Sequence, residues 1–470
     1  MFDKLLRKIK KIIPKKAWNL LWPLYHFLLA YLGNLVYGAP SQKLIVIGVT
    51  GTTGKTTSTY LIAQVLRAAG YKVGFTSTAM FSDGNKDWLN DKKMTMPGRF
   101  FAFKMLKQMV NNGCQFAIVE TTSEGIVQYR HRFINYDTLV FTGLYPEHIE
   151  SHGSFANYKE AKAMLFAHLK DCKTKYANEH RQVKRVESGL KKLSLNRIKK
   201  TIIANGDDEH APDFLNYWSE QKIIYHVNKP LLKSFPDALL LSSSDINIGP
   251  TSTSFTAHHD QASTEINLQI MGAFNIHNAY NAISVALAHD IAWSTIKAGL
   301  ESITGIPGRL EQINEAQSFA VIVDYAFEPN AVEKLYEAVK LIPHQRIIHV
   351  LGGTGGGRDS SRRPILGKIA GTQADYVVVT NEDPYDEDPQ LIIDQVSLGA
   401  QKAGKVLEKN LFKIMDRRAA IAQAFGLAGV GDIVLITGKG SEQAICLAKG
   451  IKEPWDDRQV AREELKKLKS

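Results

Sequence analysis

A glycine-rich loop ending in lysine and threonine is the part of this sequence that most clearly carries chemistry. Residues 48–57 read GVTGTTGKTT. Glycines let backbone N–H groups turn towards phosphate oxygens, the lysine adds a charge for the outer phosphates, and a threonine hydroxyl suits Mg²⁺. The loop predicts ATP and Mg²⁺ binding by Gly51, Thr52, Thr53, Gly54, Lys55, Thr56 and Thr57. Strict Walker spacing would place glycine at Val49, so this is a variant loop; the alternative is a chance Gly-Lys-Thr in a surface turn.

The segments around this loop have the patterns of a strand and a helix. Apolar residues 44–47 precede it, and a helical pattern at 58–66 follows. Further short apolar runs lie at residues 72–76, 116–120, 138–142 and 200–204, with a helical pattern at 100–110. This alternation predicts an α/β fold with a mainly parallel, doubly wound sheet that presents the loop at its carboxyl edge.

A second run of alternating strands and helices starts after residue 306. Its predicted strands are residues 319–324, 346–351, 376–380 and 433–437. Before it, the polar and basic stretch 171–200 predicts an exposed helical insertion, and 222–270 predicts shorter β segments. We therefore predict three parts: an amino-terminal arm (1–43), a central P-loop ATPase domain (44–305) and a Rossmann-like α/β domain (306–470).

The charge of the chain is concentrated at its start. Residues 1–16 hold seven basic side chains and one acid, which is more than half of the net charge of +11. No nucleic-acid-binding motif accompanies this charge, so we expect no nucleic acid partner. The three cysteines are scattered, which indicates neither a disulfide framework nor a zinc site and favours the cytoplasm.

Residues 17–42 carry no formal charge and are strongly apolar. A single membrane crossing would leave the basic end in the cytoplasm and place the ATP loop on the far side, where ATP is absent. The segment also lacks the small-residue site of a cleaved signal peptide. We favour a helix lying on the inner face of the membrane; the alternative is a helical arm packed on its own protein or on a partner.

Four further segments follow the loop in an order that resembles the Mur ligase family, most closely its UDP-N-acetylmuramyl tripeptide synthetases. They are residues 119–125 (VETTSEG), 147–152 (EHIESH), 158–166 (YKEAKAMLF) and 272–281 (GAFNIHNAYN). The resemblance implies that Glu120 and His148 hold Mg²⁺ with Thr56, and that Lys162 is carbamylated to give an extra anionic oxygen. Together with Lys55, Glu120, His148 and Lys162 would form the catalytic set. The alternatives are a structural histidine and an ordinary helical lysine.

Further nucleotide contacts are implied by the same resemblance. Asn275 and Asn278 would lie near the adenine or the metal, although Asn275 alternatively caps the following helix. Arg309 resembles the hinge arginine of the family, and Asp324 and Tyr325 its Asp-Tyr-Ala segment; these residues would contact ATP across a closing cleft. The histidine that usually follows that segment is Phe327 here.

The substrate residues depart from the family pattern. Residues 382–385 read EDPY, where the diaminopimelate-adding members have Asp-Asn-Pro-Arg, and Tyr385 cannot form the bidentate ion pair of that arginine. The acids of this segment and Glu442 would instead suit an amine-bearing side chain, which favours lysine; diaminopimelate stays open if Arg358 takes the role of the missing arginine. The substrate residues implied are Thr95, Pro97, Thr121, Thr122, Ser123, Arg130, Arg358, Asp383, Tyr385, Gly438 and Glu442.

The resemblance implies an ATP-dependent amide ligase of peptidoglycan synthesis. It would add a diamino acid to a UDP-MurNAc-dipeptide-like acceptor through an acyl phosphate. Only about forty residues precede the loop, too few for the uridine-binding domain with which the family usually begins, so a lipid-linked or shortened muramyl peptide is an alternative acceptor. The alternative functions are a folylpolyglutamate or cyanophycin synthetase type of ligase, and a membrane-associated nucleotide-binding scaffold without turnover.

Overall fold

The computed structural model describes residues 15–147, 149–184, 195–230, 234–260 and 262–468. The elements before residue 306 are α1 (Lys15–Val36), β1 (Ile45–Thr50), α2 (Lys55–Ala68), β2 (Val73–Thr76), β3 (Met80–Ser82), β4 (Asp87–Leu89), α3 (Arg99–Asn111), β5 (Phe116–Glu120), α4 (Ser123–Val127), β6 (Thr138–Phe141), α5 (Ile149–His152), α6 (Phe155–Leu169), β7 (Lys175–Ala177), β8 (Val183–Lys184), β9 (Asn196–Ile198), β10 (Thr201–Asn205), α7 (Ala211–Leu215), β11 (Gln221–His226), β12 (Leu239–Ile248), β13 (Thr253–His259), β14 (Ala262–Leu268), α8 (Phe274–Ala288) and α9 (Trp293–Glu301).

Eleven of the described strands form one sheet, in the order β14-β13-β12-β11-β10-β6-β1-β5-β2-β3-β4. The strands from β12 to β2 are parallel, and hairpins add antiparallel strands at both edges. All residues of β1 and β5 are buried, as expected for strands covered on both faces. The predicted mainly parallel sheet is confirmed, and β1 at its centre delivers the phosphate loop to the carboxyl edge.

A second sheet follows residue 306. Its elements are β15 (Glu311–Gln312), β16 (Ala320–Val323), α10 (Pro329–Val339), β17 (Ile347–Leu351), α11 (Arg362–Gln373), β18 (Tyr376–Thr380), α12 (Pro389–Lys402), β19 (Leu411–Ile414), α13 (Arg417–Leu427), β20 (Ile433–Ile436), β21 (Ala444–Cys446), β22 (Lys452–Pro454) and α14 (Asp457–Lys467). Among the described residues the sheet order is β15-β16-β20-β17-β18-β19, parallel except for β15. The α/β prediction for this part is confirmed; the division at residue 306 stays a prediction, and the two sheets lie on either side of it.

The prediction of a helical insertion at residues 171–200 is wrong for its described part. Strands β8, β7 and β9 form a small antiparallel sheet there. Its basic residues are not all exposed, because the ammonium groups of Lys175 and Lys200 lie 2.6 and 2.9 Å from the buried carboxylate of Asp137. A polar, basic composition was therefore a poor guide to exposure in this segment.

Helix α1 packs one face on the protein and exposes the other. The ring of Phe27 contacts those of Tyr129 and Phe133 edge-on, and His26 and Ala30 are buried. The opposite face exposes apolar side chains at helical spacing: Leu24, Leu28, Tyr31, Leu32, Leu35 and Val36. We call these six residues the α1 apolar stripe. Within the described ranges, no helix has both the length and the apolar character needed to cross a bilayer.

Candidate active site between the two sheets

The phosphate loop is held in a shape that only glycine permits at two positions. Gly54 has φ +78° at the start of α2, and a Cβ atom there would lie 2.6 Å from Oδ1 of Asn278. A Cβ atom on Gly51 would lie 2.0 Å from Oγ1 of Thr142. The ammonium of Lys55 donates to the carbonyls of Gly51 (3.0 Å) and Thr52 (2.5 Å). The loop therefore curls around the lysine at the positive end of α2, a geometry suited to phosphate.

Glu120 and Thr56 meet at the carboxyl edge of the sheet. Glu120 ends β5, next to β1, and its Oε2 accepts from the hydroxyl of Thr56 (3.0 Å). Thr78 donates its backbone N–H to the same oxygen (2.8 Å) and its hydroxyl to Oε1 (2.9 Å). A carboxylate beside a hydroxyl fits Mg²⁺, which takes few protein ligands and completes its shell with phosphate oxygens and water. His148, predicted as a third ligand, lies outside the described residues.

Lys162 is buried under the phosphate loop. Its Nζ donates to the carbonyl of Gly51 (2.7 Å) and lies 4.6 Å from the centre of the Tyr158 ring. Burial, reinforced by the nearby charge of Lys55, holds the pKa of Lys162 well below its usual value. Burial therefore disfavours the charged form of this amine, in contrast to an ordinary surface lysine.

The asparagines predicted for the nucleotide lie in α8 and form a chain of hydrogen bonds. Asn275 Nδ2 donates to the carbonyl of Met271 (2.7 Å), and Asn278 Nδ2 donates to Oδ1 of Asn275 (2.9 Å). The capping alternative for Asn275 is wrong, because the cap position is Ala273 and Asn275 lies inside the helix. Sequence reasoning missed His277 on the same turn, which lines the cavity and whose pKa burial lowers to about 4.

The second sheet contributes Arg309, Asp324 and Tyr325. The guanidinium of Arg309 lies 4.3 Å from the centre of the Tyr325 ring, and its Nη2 is 3.5 Å from Oγ1 of Thr56. Asp324 accepts from the backbone N–H of Leu310 (2.7 Å) and of Ala326 (2.7 Å), which fixes its carboxylate at the end of β16. Burial raises the pKa of Asp324, and the charge of Arg309 opposes this. These contacts bring both sheets to the phosphate loop.

The residues predicted for the acceptor divide into two groups. Thr95, Thr122, Ser123 and Arg130 line the cavity, and the hydroxyl of Thr95 lies 2.7 Å from that of Thr78. Pro97 and Thr121 are buried and do not belong to the part of the cavity lining that the structure describes. The hydroxyl of Thr121 donates to the carbonyl of Val119 (3.1 Å). For these two, a packing role explains the observed placement.

The acidic residues predicted for an amine are already paired with lysines. The ammonium of Lys93, from the first half of the chain, lies 2.6 Å from Asp383 and 2.8 Å from Glu442. Lys439 lies 2.8 Å from Asp383 and 2.7 Å from Glu442. Sequence reasoning missed Lys93, because no motif marks it. Arg358, Tyr385 and Gly438 also line the cavity.

One cavity joins most of these groups. Its volume is about 800 Å³, and its walls come from both sheets. Residues 52–57, Thr95, Arg130, Asp383 and Glu442 all contribute to its lining. The size is within the range of small-molecule and cofactor sites. We call the part of the chain around the first sheet and the part around the second sheet the two lobes. A phosphate loop on one lobe that faces the other lobe across a shared cavity defines an ATP-dependent ligase.

Family models agree with this class. The Mur ligase middle domain matches residues 49–286, and the domain described as Mur ligase, glutamate ligase domain matches residues 308–440. The UDP-N-acetylmuramyl-tripeptide synthetase of Roseiflexus sp. (strain RS-1) is 33% identical over 444 residues, covering 94% of this chain and 82% of that protein. The chain therefore belongs to the Mur ligase family, and ATP-dependent ligation in peptidoglycan synthesis is its activity.

Other similar proteins are also ligases or synthases of this fold. The UDP-N-acetylmuramoyl-L-alanyl-D-glutamate--2,6-diaminopimelate ligase of Geobacillus thermodenitrificans (strain NG80-2) is 32% identical over 438 residues, covering 93% of this chain and 82% of that protein. A solved structure of a ligase with that name has a TM-score of 0.56 at 24% identity, covering 91% and 79% of the two chains. Mycobacterium tuberculosis folylpolyglutamate synthase complexed with ADP has a TM-score of 0.65 at 16% identity, covering 88% and 92%. At these identities the structures share the fold alone.

Proposed function

We propose that the protein joins a diamino acid, of the meso-diaminopimelate or L-lysine class, to the terminal carboxylate of a UDP-MurNAc-dipeptide-like acceptor. The observation that carries the proposal is the cavity whose lining includes Lys55, Arg130 and Glu442. It brings together a phosphate site, a cationic side chain for an acceptor and carboxylates for a donor. The names of the similar proteins, a tripeptide synthetase and a diaminopimelate ligase, favour the same substrates.

The proposed reaction has two steps. The γ-phosphoryl group of ATP passes to the acceptor carboxylate, which gives ADP and an acyl phosphate. The amine of the donor then attacks the acyl carbon, and phosphate leaves as the amide forms. Lys55 and the N–H groups of the loop would bind the triphosphate, and the lobes would exclude water from the acyl phosphate. Thr56, Glu120 and His148 would hold Mg²⁺, which neutralises charge on the phosphates when bound.

A carbamate on Lys162 is part of the proposal. A neutral amine attacks CO₂ and forms a carbamate with release of one proton, and burial, which lowers the pKa of Lys162, favours the neutral form of its amine. The resulting anion would lie beside Lys55, whose charge already lowers that pKa. Burial and this neighbour therefore both favour the modified side chain, since a bare ammonium would be costly at this position.

The experiment that tests the function is product analysis by mass spectrometry. Muramyl dipeptide acceptors with and without uridine diphosphate are incubated with ATP and Mg²⁺, and lysine, ornithine and diaminopimelate are offered together. We expect one amide product and ADP formation that depends on both acceptor and amino acid. ADP formation at the same low rate without them would favour a scaffold, and glutamate addition to a folate would favour the folylpolyglutamate type.

We also propose that the cytoplasmic protein contacts an anionic membrane surface through the α1 apolar stripe. The stripe is an exposed row of leucine, tyrosine and valine on a 22-residue helix. Seven basic residues lie in positions 1–16, at the start of the same helix or before it. Apolar side chains beside positive charge are the composition that binds anionic interfaces. A lipid-linked acceptor would be reached from this position.

A further inference from the structure

Lys93 reaches across the cavity from one lobe to the other. It lies in the loop after β4, while Asp383 follows β18, Glu442 follows β20 and Ala444 begins β21. Its ammonium donates to Oδ2 of Asp383 (2.6 Å) and to the carbonyl of Ala444 (2.8 Å), and lies 2.8 Å from Oε2 of Glu442. An ammonium has three donors, so these three acceptors satisfy it completely.

A second lysine shares the carboxylates that bind Lys93. Lys439 contacts the same two carboxylates, so two cations face two anions. The side chains of Lys93 and Lys439 are 4% and 0% exposed. Burial alone would lower the pKa of Lys93, but the carboxylates of Glu442 and Asp383 reverse this and raise it. Lys93 is therefore a charged group whose ammonium, together with that of Lys439, already occupies both carboxylates.

The backbone on both sides of this contact is in a conformation that L-residues rarely adopt. Lys93 has φ +54° and Tyr385, two residues after Asp383, has φ +51°. A non-glycine residue in the left-handed region is strained and persists where surrounding contacts impose it. The ion pairs among Lys93, Lys439, Asp383 and Glu442 are such a set of contacts. The opposite lobe therefore holds the loop that carries Lys93 in place.

We propose that Lys93 sets the amine specificity of this ligase. Its ammonium fills the site between Asp383 and Glu442 that the side-chain amine of a diamino acid would take, so the donor must displace it. The inference rests on the proposed function, because it assumes that Asp383 and Glu442 receive the amino donor. Lys93 competes with the side-chain amine of the donor for the two carboxylates. It therefore lowers the ratio of kcat/KM for a diamino acid over a donor without a second amine.

The test compares donors within one variant. Lysine is paired with norleucine, and diaminopimelate with 2-aminopimelate, so that each pair differs only by the side-chain amine. In Lys93→Met the two carboxylates keep one cation, and we expect the ratio of kcat/KM for the diamino acid over its analogue to rise about tenfold or more. An unchanged or lower ratio would overturn the proposal, since a merely structural lysine would affect both donors equally.

Two controls accompany this variant. Lys93→Arg keeps the charge and should keep a ratio close to that of the wild type. Lys92→Met removes the neighbouring lysine, whose ammonium pairs with Asp91 in solvent, and should not change the ratio. Wild-type protein that shows no ATP-dependent product with any donor would refute the proposed function instead, so the two failures are distinguishable.

A measurement on the wild type covers the case in which Lys93→Met does not fold. A short pulse of an amine-acetylating reagent is applied with ATP and acceptor, and the acetylation of Lys93 relative to Lys92 is read by mass spectrometry. We expect Lys93 to be protected with norleucine and labelled several-fold more with lysine or diaminopimelate, at matched saturation. Equal protection with all donors would show that Lys93 is not displaced.

Discussion

The carboxylate of Glu120 gathers the hydroxyl of Thr56 and two donors from Thr78 at the edge of the sheet. Glu120→Gln keeps the size of the side chain and removes the charge that a divalent cation needs. We expect the Mg²⁺ concentration for half-maximal activity to rise roughly 10–100-fold. Glu124→Gln is the control, since Glu124 also lines the cavity but lies beside Arg358, 3.9 Å away. Equal metal dependence in both variants would remove Glu120 from the metal site.

The buried amine of Lys162 gives a second prediction at the scale of one residue. Lys162→Ala should lower kcat by about a hundredfold or more, as expected for loss of a charged group at the reacting phosphate. Formate or acetate should restore part of the activity by supplying the missing carboxylate. Lys159→Ala is the matched control, because Lys159 lies on the same helix and pairs with Asp213 at the surface (2.9 Å). Full activity of Lys162→Ala would exclude a carbamate.

The residues of the site were predictable to the extent that local sequence specifies them. The phosphate loop and Glu120 stand at the ends of predicted strands, where parallel sheets place ligands. Lys93 was not predictable, because its partner Asp383 is 290 positions away and no spacing rule links them. The acids at 383 and 442 looked available for an amine in the sequence, and only the fold shows the lysines beside them.

Strand β17 carries a buried histidine that predicts how stability depends on pH. The ring of His349 lies between the hydroxyls of Tyr336 (2.7 Å) and Thr437 (2.9 Å). Burial, with a smaller contribution from Arg417, lowers the pKa of His349 to about 3. Between that value and about 6.5 the unfolded chain binds a proton that the folded chain does not, so the free energy of unfolding rises with pH in this window. The contribution is complete above about pH 6.5 and is lost as pH falls to 3.

Replacing His349 should weaken the dependence of the unfolding free energy on pH. In His349→Gln we expect the slope of the unfolding free energy against pH, between pH 4 and 6, to fall by about 1.4 kcal/mol per pH unit. Urea unfolding at several pH values measures it. His180→Gln at an exposed position is the control and should leave the slope unchanged. A slope in His349→Gln equal to that of the wild type would contradict the assignment.

The strands were predicted best where they are buried on both faces, because such strands appear in the sequence as short continuous apolar runs. The apolar run 116–120 coincides with β5, and the run 138–142 differs from β6 by one residue. The stretch 171–200 was misassigned because its lysines suggested a solvated helix, whereas Lys175 and Lys200 turn inwards to Asp137. A buried ion pair between distant segments is a tertiary contact that local periodicity does not contain.

At the scale of the whole molecule, the α1 apolar stripe predicts binding to anionic vesicles by the full chain. Leu28 and Leu32 are 46% and 47% exposed, one helical turn apart. Burying a leucine contributes roughly 1.5–3 kcal/mol, so the double variant Leu28→Glu, Leu32→Glu should lose more than tenfold in affinity. Co-sedimentation with phosphatidylglycerol–phosphatidylcholine vesicles measures this, and phosphatidylcholine alone should bind less.

The control for this prediction is a pair of exposed apolar residues elsewhere, Leu341→Glu with Val430→Glu, which should bind vesicles as the wild type does. Salt should weaken wild-type binding, because basic residues near the interface act through a screened potential. ATP turnover with a water-soluble acceptor should be unaffected by the stripe variant, since the stripe lies outside the described lining of the cavity. The stripe variant could instead keep its affinity for vesicles and change only its sedimentation in their absence. This result would show that α1 is a protein interface. It would also remove the reason to place the acceptor at a membrane.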